Sequence, residues 1–339
     1  MINPSISKAI TFLRYPLIIL VVLIHMPRIT NGGAAYDYIS VLLSGQLSGI
    51  AVPGFFMISG FLFFDNGFDK SMYASKLKKR LYTLLIPYLI WNAAYLLYVI
   101  IPNFSSYNYT VGNVLVCFWD CHYSFVHSAS HSPMDFPLWY VRDLMSCMVL
   151  SPLLYLGLKR MKFVIPLVFL GLWIMDLRNS VVGLSFIALA FFSLGGYLKL
   201  FFSDTDLNQY SWGMIGFTVF IVLCVVFPVS KSPFVAKLID MLGIVTIPFF
   251  ANMIVNKYPL FAQRVMRLSS KSFFIFAAHM FFLKQVYWML NRLGMLPELL
   301  VYFVTFMITI IACHLLYFLG VRLLPRTWAV INGERVKNK

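Results

Sequence analysis

Arg14 and His25 stand eleven positions apart, and the ten residues between them are uncharged and mostly Leu, Ile and Val. On a helix turning about 100° and rising about 1.5 Å per residue, eleven positions make roughly three full turns. The two side chains therefore share one face to within about 20° and lie about 16 Å apart along the axis. An imidazole titrates near neutral pH, which suits it to take a proton from an attacking hydroxyl. A guanidinium suits the holding of phosphate. Taken singly, Arg14 reads as a cation snorkelling to headgroups and His25 as an interfacial histidine. Together they read as one polar stripe. A charged side chain at the centre of a membrane helix costs about 2.5–3.5 kcal/mol, so it normally faces a bundle interior or a wet cavity.

The rest of the chain supplies the membrane. Its 339 residues are 60% hydrophobic and 12% charged, with a mean hydropathy of +0.82. Soluble domains keep close to a quarter of their residues charged. The composition therefore predicts an all-α, polytopic membrane bundle. About ten transmembrane helices are expected, at 8–27, 40–64, 81–101, 138–158, 163–176, 181–200, 212–228, 234–256, 272–290 and 299–320. The fifth and seventh are short.

Basic residues concentrate in alternate loops. The predicted cytoplasmic loops 65–80, 159–162 and 257–271, with Lys8, Lys199 and the tail, hold most of them. The opposite loops hold Arg28, Arg178, Lys231 and Arg292 alone, and 102–137 contains neither Lys nor Arg. Both termini are thus expected in the cytoplasm. The net charge of +15 reads as topology, with some attraction to anionic lipid, rather than as nucleic-acid binding. The first apolar run lacks a cleavage site, so it is expected to stay. Five cysteines set no disulfide framework: Cys147, Cys224 and Cys313 fall in apolar segments, while Cys117 and Cys121 share the outer loop, where an oxidising compartment allows a pair. One domain, 1–339, is expected, with an outer loop at about 102–137 long enough to fold partly against the membrane.

Five stretches in order carry a resemblance. The arginine, ten-residue gap and histidine of the first helix are followed by "FFMISGFLFF" (Phe55 to Phe64) and "KKRLYTLLIPYLIWN" (Lys78 to Asn92). "PLWYVRDL" (Pro137 to Leu144) and "SFFIFAAHMF" (Ser272 to Phe281) come later. In this series the chain resembles the acyltransferase-3 family of bacterial integral-membrane acyltransferases over nearly its whole length. It departs from the family in having Thr83 where many members carry a second arginine, and Val141-Arg142-Asp143 where some carry a glutamate signature. No appended soluble esterase-like domain is visible.

The resemblance implies a membrane-bound O-acyltransferase, probing acetyl-CoA or another acyl-CoA as donor and a cell-envelope polysaccharide or lipid-linked sugar as acceptor, in the bacterial inner membrane. His25 would be general base or acyl carrier, with Arg14, the second catalytic candidate, about 16 Å along the same face on the donor's path. Phosphates of the coenzyme would meet Lys78, Lys79, Arg80 and, deeper, Arg14. His279, about 12 Å beyond Lys271 on its helix, lies at mid-membrane depth; it reads as a core hydrogen-bonder or, as the resemblance implies, as lining the donor tunnel. Trp139, Arg142 and Asp143 are candidate acceptor contacts, and the last two, about 100° apart on a helix, need not pair with each other. Ser59 is a weaker candidate, since Ser59 and Gly60 also suit close helix packing. Lys284 and Lys237 are expected to snorkel. The outer-loop His122, His127 and His131, near Cys117, Asp120 and Cys121, match no closed four-ligand zinc pattern, so no metal is expected. Acceptor binding and plain loop polarity both remain open for them. A glycolipid transporter or flippase using the same cavity is the alternative, and a scaffold leaves the Arg14–His25 face without a purpose.

Overall fold

A computed structural model describes residues 2–27, 33–64, 69–103, 109–126, 128, 130–177, 183–209, 212–227, 232–294 and 296–333. Among them every regular element is helical. Helix α1 (Pro4–Ile24) starts on Pro4 with the Asn3 side chain accepting from the Ser5 amide, a proline-led start with a side-chain cap. Helices α2 (Gly33–Ser40) and α3 (Ala51–Phe63) join through a π turn at Val41–Gln46 and a 3₁₀ turn at Leu47–Ile50. Helices α4 (Lys70–Arg80) and α5 (Ile86–Ile100) join through a second π turn, Leu81–Leu85. The 3₁₀ turn and the second π turn lie just ahead of Pro53 and Pro87. A proline cannot donate to the carbonyl four residues back, so the ladder is interrupted there and the turn is free to widen.

The outer loop carries the short α6 (Val111–Val116) and runs into α7 (Trp139–Met161). Then come α8 (Val164–Ile174), α9 (Phe186–Phe202), α10 (Trp212–Val226) and α11 (Pro233–Lys257). The chain closes with α12 (Pro259–Leu268), α13 (Ser272–Leu293), α14 (Glu298–Leu323) and α15 (Pro325–Ile331). Seven runs among the described residues are long and apolar enough to cross a membrane; three shorter apolar helices, α8, α9 and α10, occupy the remaining predicted segments. The chain is a multi-pass helical membrane protein.

Two basic stretches read as loops are in fact helical. Residues 257–271 contain α12, where Arg264 and Arg267 alternate with Leu260 and Phe261, and 65–80 contains α4. Charges at helical spacing along a membrane surface mask the helix in a hydropathy reading, because the turn-by-turn average is polar. Arg28, Arg178, Lys231, Arg335, Lys337, Lys339 and His127 lie outside the described residues.

Helix α1 is the centre of the bundle, packed by α3, α11, α12 and α13, with Leu17 and Val22 fully buried. Its polar residues are therefore surrounded by protein. Helices α3 and α9 cross at backbone contact: a Cβ on Gly60 would strike the Phe192 carbonyl, and one on Gly195 would strike the Met57 carbonyl. In a bilayer, close packing of small residues takes over much of the work that water exclusion does in a soluble core. Gly60 in "FFMISGFLFF" is therefore explained by packing.

Candidate active site

His25 forms the C-cap of α1, its amide donating to the Val22 carbonyl at 3.2 Å. Its ring faces that of His279 on α13, centroids 5.1 Å apart and planes tilted 35°. Phe136 closes the other side edge-on at 5.5 Å. His279 is completely buried, and its Nδ1 lies 3.0 Å from the Ile275 carbonyl and 2.8 Å from that of Phe276. Carbonyls only accept, so the proton sits on Nδ1 and Nε2 offers a lone pair. That Nε2 is buried and has no hydrogen-bond partner. Leaving such an acceptor unmet costs about 1–3 kcal/mol.

Toward the other end of α1, the Arg14 carbonyl accepts from Ser272 Oγ at 3.3 Å, tying α1 to the start of α13. The guanidinium lies within electrostatic reach of Tyr140, which also feels Arg80. Tyr140 shares a 3.0 Å hydrogen bond with Ser59 and sits among Phe55, Phe56 and Phe276. Beyond it a cavity of ≈ 180 Å³ is lined by Leu62, Phe63, Lys76, Lys79, Arg80 and Thr83. Lys79 and Arg80 thus meet as the sequence suggested, while Lys78 is not part of the lining. Lys76, missed in the sequence, takes its place and also donates to the Phe63 carbonyl at the end of α3, at 2.6 Å. The signal was there: 76, 79 and 80 follow the i, i+3, i+4 rule for one helix face, and 78 does not.

Near His25 lies a second group without a sequence signal. The Asp135 amide donates to Asn92 Oδ1 at 3.0 Å, and Asn92 Nδ2 donates to the Tyr88 carbonyl at 2.9 Å. The Asp135 side chain is fully buried. Lys284 on α13 stands within electrostatic reach of both Asp135 and His25; its amine donates to the Tyr95 hydroxyl at 3.1 Å, so it is held by a neighbour as well as reaching solvent.

A cavity lined by three cations and, at the end of α1, two facing imidazoles suit acyl transfer, and comparison with known proteins points the same way. Residues 7–318 match the acyltransferase-3 family, described as an acyltransferase domain. The chain belongs to that family. It is also 29% identical to the succinoglycan biosynthesis protein ExoH of Rhizobium meliloti (strain 1021), across 99% of this chain and 95% of that protein. No solved structure matches it.

In this acyltransferase the stretch Pro137 to Leu144 is a latch. Arg142 and Asp143 are buried, 3% and 1% exposed, and they do pair, Nε to Oδ1 at 3.1 Å. The Arg142 side chain curls back over its own helix because its remaining donors have targets in the outer loop, the carbonyls of Trp119 (2.6 Å) and His131 (3.2 Å). Asp143 Oδ2 accepts from the Ser185 amide at the start of α9. Both side chains are thus engaged by protein. Trp139 is half-buried and packs on Phe56, ring centroids 6.2 Å apart. In the outer loop Asp120 Oδ2 holds His131 at 2.8 Å, and His122 Nδ1 donates to the Ser128 carbonyl at 2.9 Å. Cys117 and Cys121 are free thiols. Among the described residues no three metal-ligating side chains converge. Lys237 pairs with Asp176 at 2.7 Å instead of merely snorkelling.

Proposed function

We propose that this acyltransferase takes an acyl group, acetyl or another short chain, from cytoplasmic acyl-CoA. It transfers that group to a hydroxyl of a cell-envelope polysaccharide or lipid-linked sugar, as a protein of the bacterial inner membrane with both termini in the cytoplasm. The observation that carries the reading is a cavity lined by three basic residues together with two facing imidazoles at the end of α1, one of them, His279, fully buried. The relative's name, a succinoglycan biosynthesis protein, supports a glycan acceptor.

The chemistry balances with the groups present. The acceptor hydroxyl oxygen bonds the thioester carbonyl carbon, and the carbon–sulfur bond breaks. The hydroxyl proton passes to an imidazole and from there to the coenzyme thiolate. His25 is the base or the transient acyl carrier, and His279, its tautomer fixed by two carbonyls, faces it where donor and acceptor meet. Lys76, Lys79 and Arg80 hold the coenzyme phosphates as charge-assisted partners, with Arg14 further along the pantetheine path and Ser59 and Tyr140 between. Arg142 and Asp143 position the outer loop rather than touch the acceptor, and Trp139 packs beside them.

The test uses the purified protein in liposomes with labelled acetyl-CoA and a crude glycan extract. Alkali-labile label on the sugar, lost in His25→Ala that still folds, is the expected result. Sugar crossing the bilayer without becoming labelled would replace the enzyme with a transporter.

A further inference from the structure

Three acidic residues bracket the junction of the outer loop and α7, and two of them are fully engaged. Asp120 accepts from the His122 amide and from His131. Asp143 accepts from Arg142 and from the Ser185 amide. Asp135, between them and 0% exposed, has neither carboxyl oxygen hydrogen-bonded. A buried carboxyl group with no partner is destabilising in either protonation state, and a fold with no use for one replaces it readily. Yet the backbone here is pinned, Asn92 holding the Asp135 amide at 3.0 Å. Of the titratable side chains described, only Asp135 and His279 leave buried polar atoms unpartnered.

His279 faces the His25 ring, and Asp135 stands one residue before Phe136, which rests edge-on against the same ring. Lys284 senses both Asp135 and His25. We infer that Asp135 and the His279 Nε2 are hydroxyl-binding groups of the acyl-acceptor subsite, and that their missing partners are adjacent hydroxyls of a sugar. A carboxyl group offers two oxygens, and a sugar offers neighbouring O–H donors at matching separation. The inference rests on the acyl-transfer reading and specifies its acceptor side. Asp135 holds hydroxyls next to the one that reacts and exchanges no proton in the step.

A strain lacking the gene is complemented with the wild type, Asp135→Asn, Asp135→Ser or His25→Ala, and ester groups released by alkali from its envelope glycan are quantified. In parallel, purified proteins are titrated with coenzyme A and melted in detergent. Both Asp135 variants are expected to lower ester content roughly tenfold or more, the loss of one or two hydrogen bonds. Their coenzyme A affinity should stay within about twofold of wild type, less than half a kcal/mol, and their melting temperature should not fall. Wild-type ester content in both variants would overturn the inference, as would a matching loss of coenzyme A affinity or failure of both to fold, since either assigns Asp135 to the donor side or to the scaffold. If deleting the gene leaves the esters unchanged, the acyl-transfer reading fails, and this inference with it.

Discussion

The Nδ1 proton of His279 is locked by the Ile275 and Phe276 carbonyls, so its lone pair points away from its own helix at the depth where His25 ends α1. Arg14 and His25 were legible because spacing alone puts them on one face. His279 was legible as an isolated histidine in an apolar run. Asp135 was not, because an acid in a polar loop resembles any other until its burial is known. Burial raises its pKa well above the ordinary carboxyl value of 3.8, with Lys284 opposing. Above the ordinary value the folded protein keeps a proton that the unfolded chain has released, so stability falls as pH rises. Asp135→Asn removes this dependence and leaves the facing Lys284, Tyr88 and Tyr95 in place. In a detergent melting series the variant should match the wild type near the ordinary carboxyl value and gain on it as pH rises above that. A constant difference would show that the carboxyl does not titrate in this way. The basic cavity gives a second test: Lys76→Gln should weaken coenzyme A binding about tenfold, and Lys78→Gln should change it by less than about twofold. Equal losses in the two would show that charge alone, not the cavity face, holds the coenzyme.

Helices were legible wherever hydropathy was strong, and illegible where local chemistry bent or masked them. The π turn at Leu81–Leu85 follows from the missing donor of Pro87, yet a wider turn and an ordinary one have the same apolar pattern. The Arg142–Asp143 pair escaped because neighbours on a helix diverge at Cβ, whereas a long guanidinium arm can bend to reach both its neighbour and the outer loop. Breaking a buried pair by removing one partner costs about 3–5 kcal/mol. Arg142→Ala should therefore loosen the 119–131 segment first, read as faster protease cleavage there than in wild type. Uniform protection would remove the latch. Gly60→Val drives a branched side chain into the Phe192 carbonyl, and overpacking of this kind costs about 1–3 kcal/mol. A lowered melting temperature is expected, and Ser59→Ala beside it should leave stability nearly unchanged.

Across the whole molecule, polar groups run through an apolar bundle in a fixed sequence. Lys76, Lys79 and Arg80 line the cavity; Arg80 and Arg14 both act on Tyr140; His279 and His25 stack; and Asp135 lies beside Phe136 under the outer loop. The bilayer explains why the interior tolerates them: in hydrocarbon each would be costly, and facing one another they are sheltered from it. On the proposed function the order also gives the reaction a direction, donor from the basic side and acceptor from the other. Sealed vesicles with the protein in one orientation test that directly. Labelled acyl-CoA is supplied only on the side of Lys76, Lys79 and Arg80, and glycan only on the opposite side. The account predicts ester-linked label on the glycan, absent when donor and glycan exchange sides and absent in His25→Ala. Transfer that needs donor and glycan on the same side, or that persists without the His25 imidazole, would contradict it.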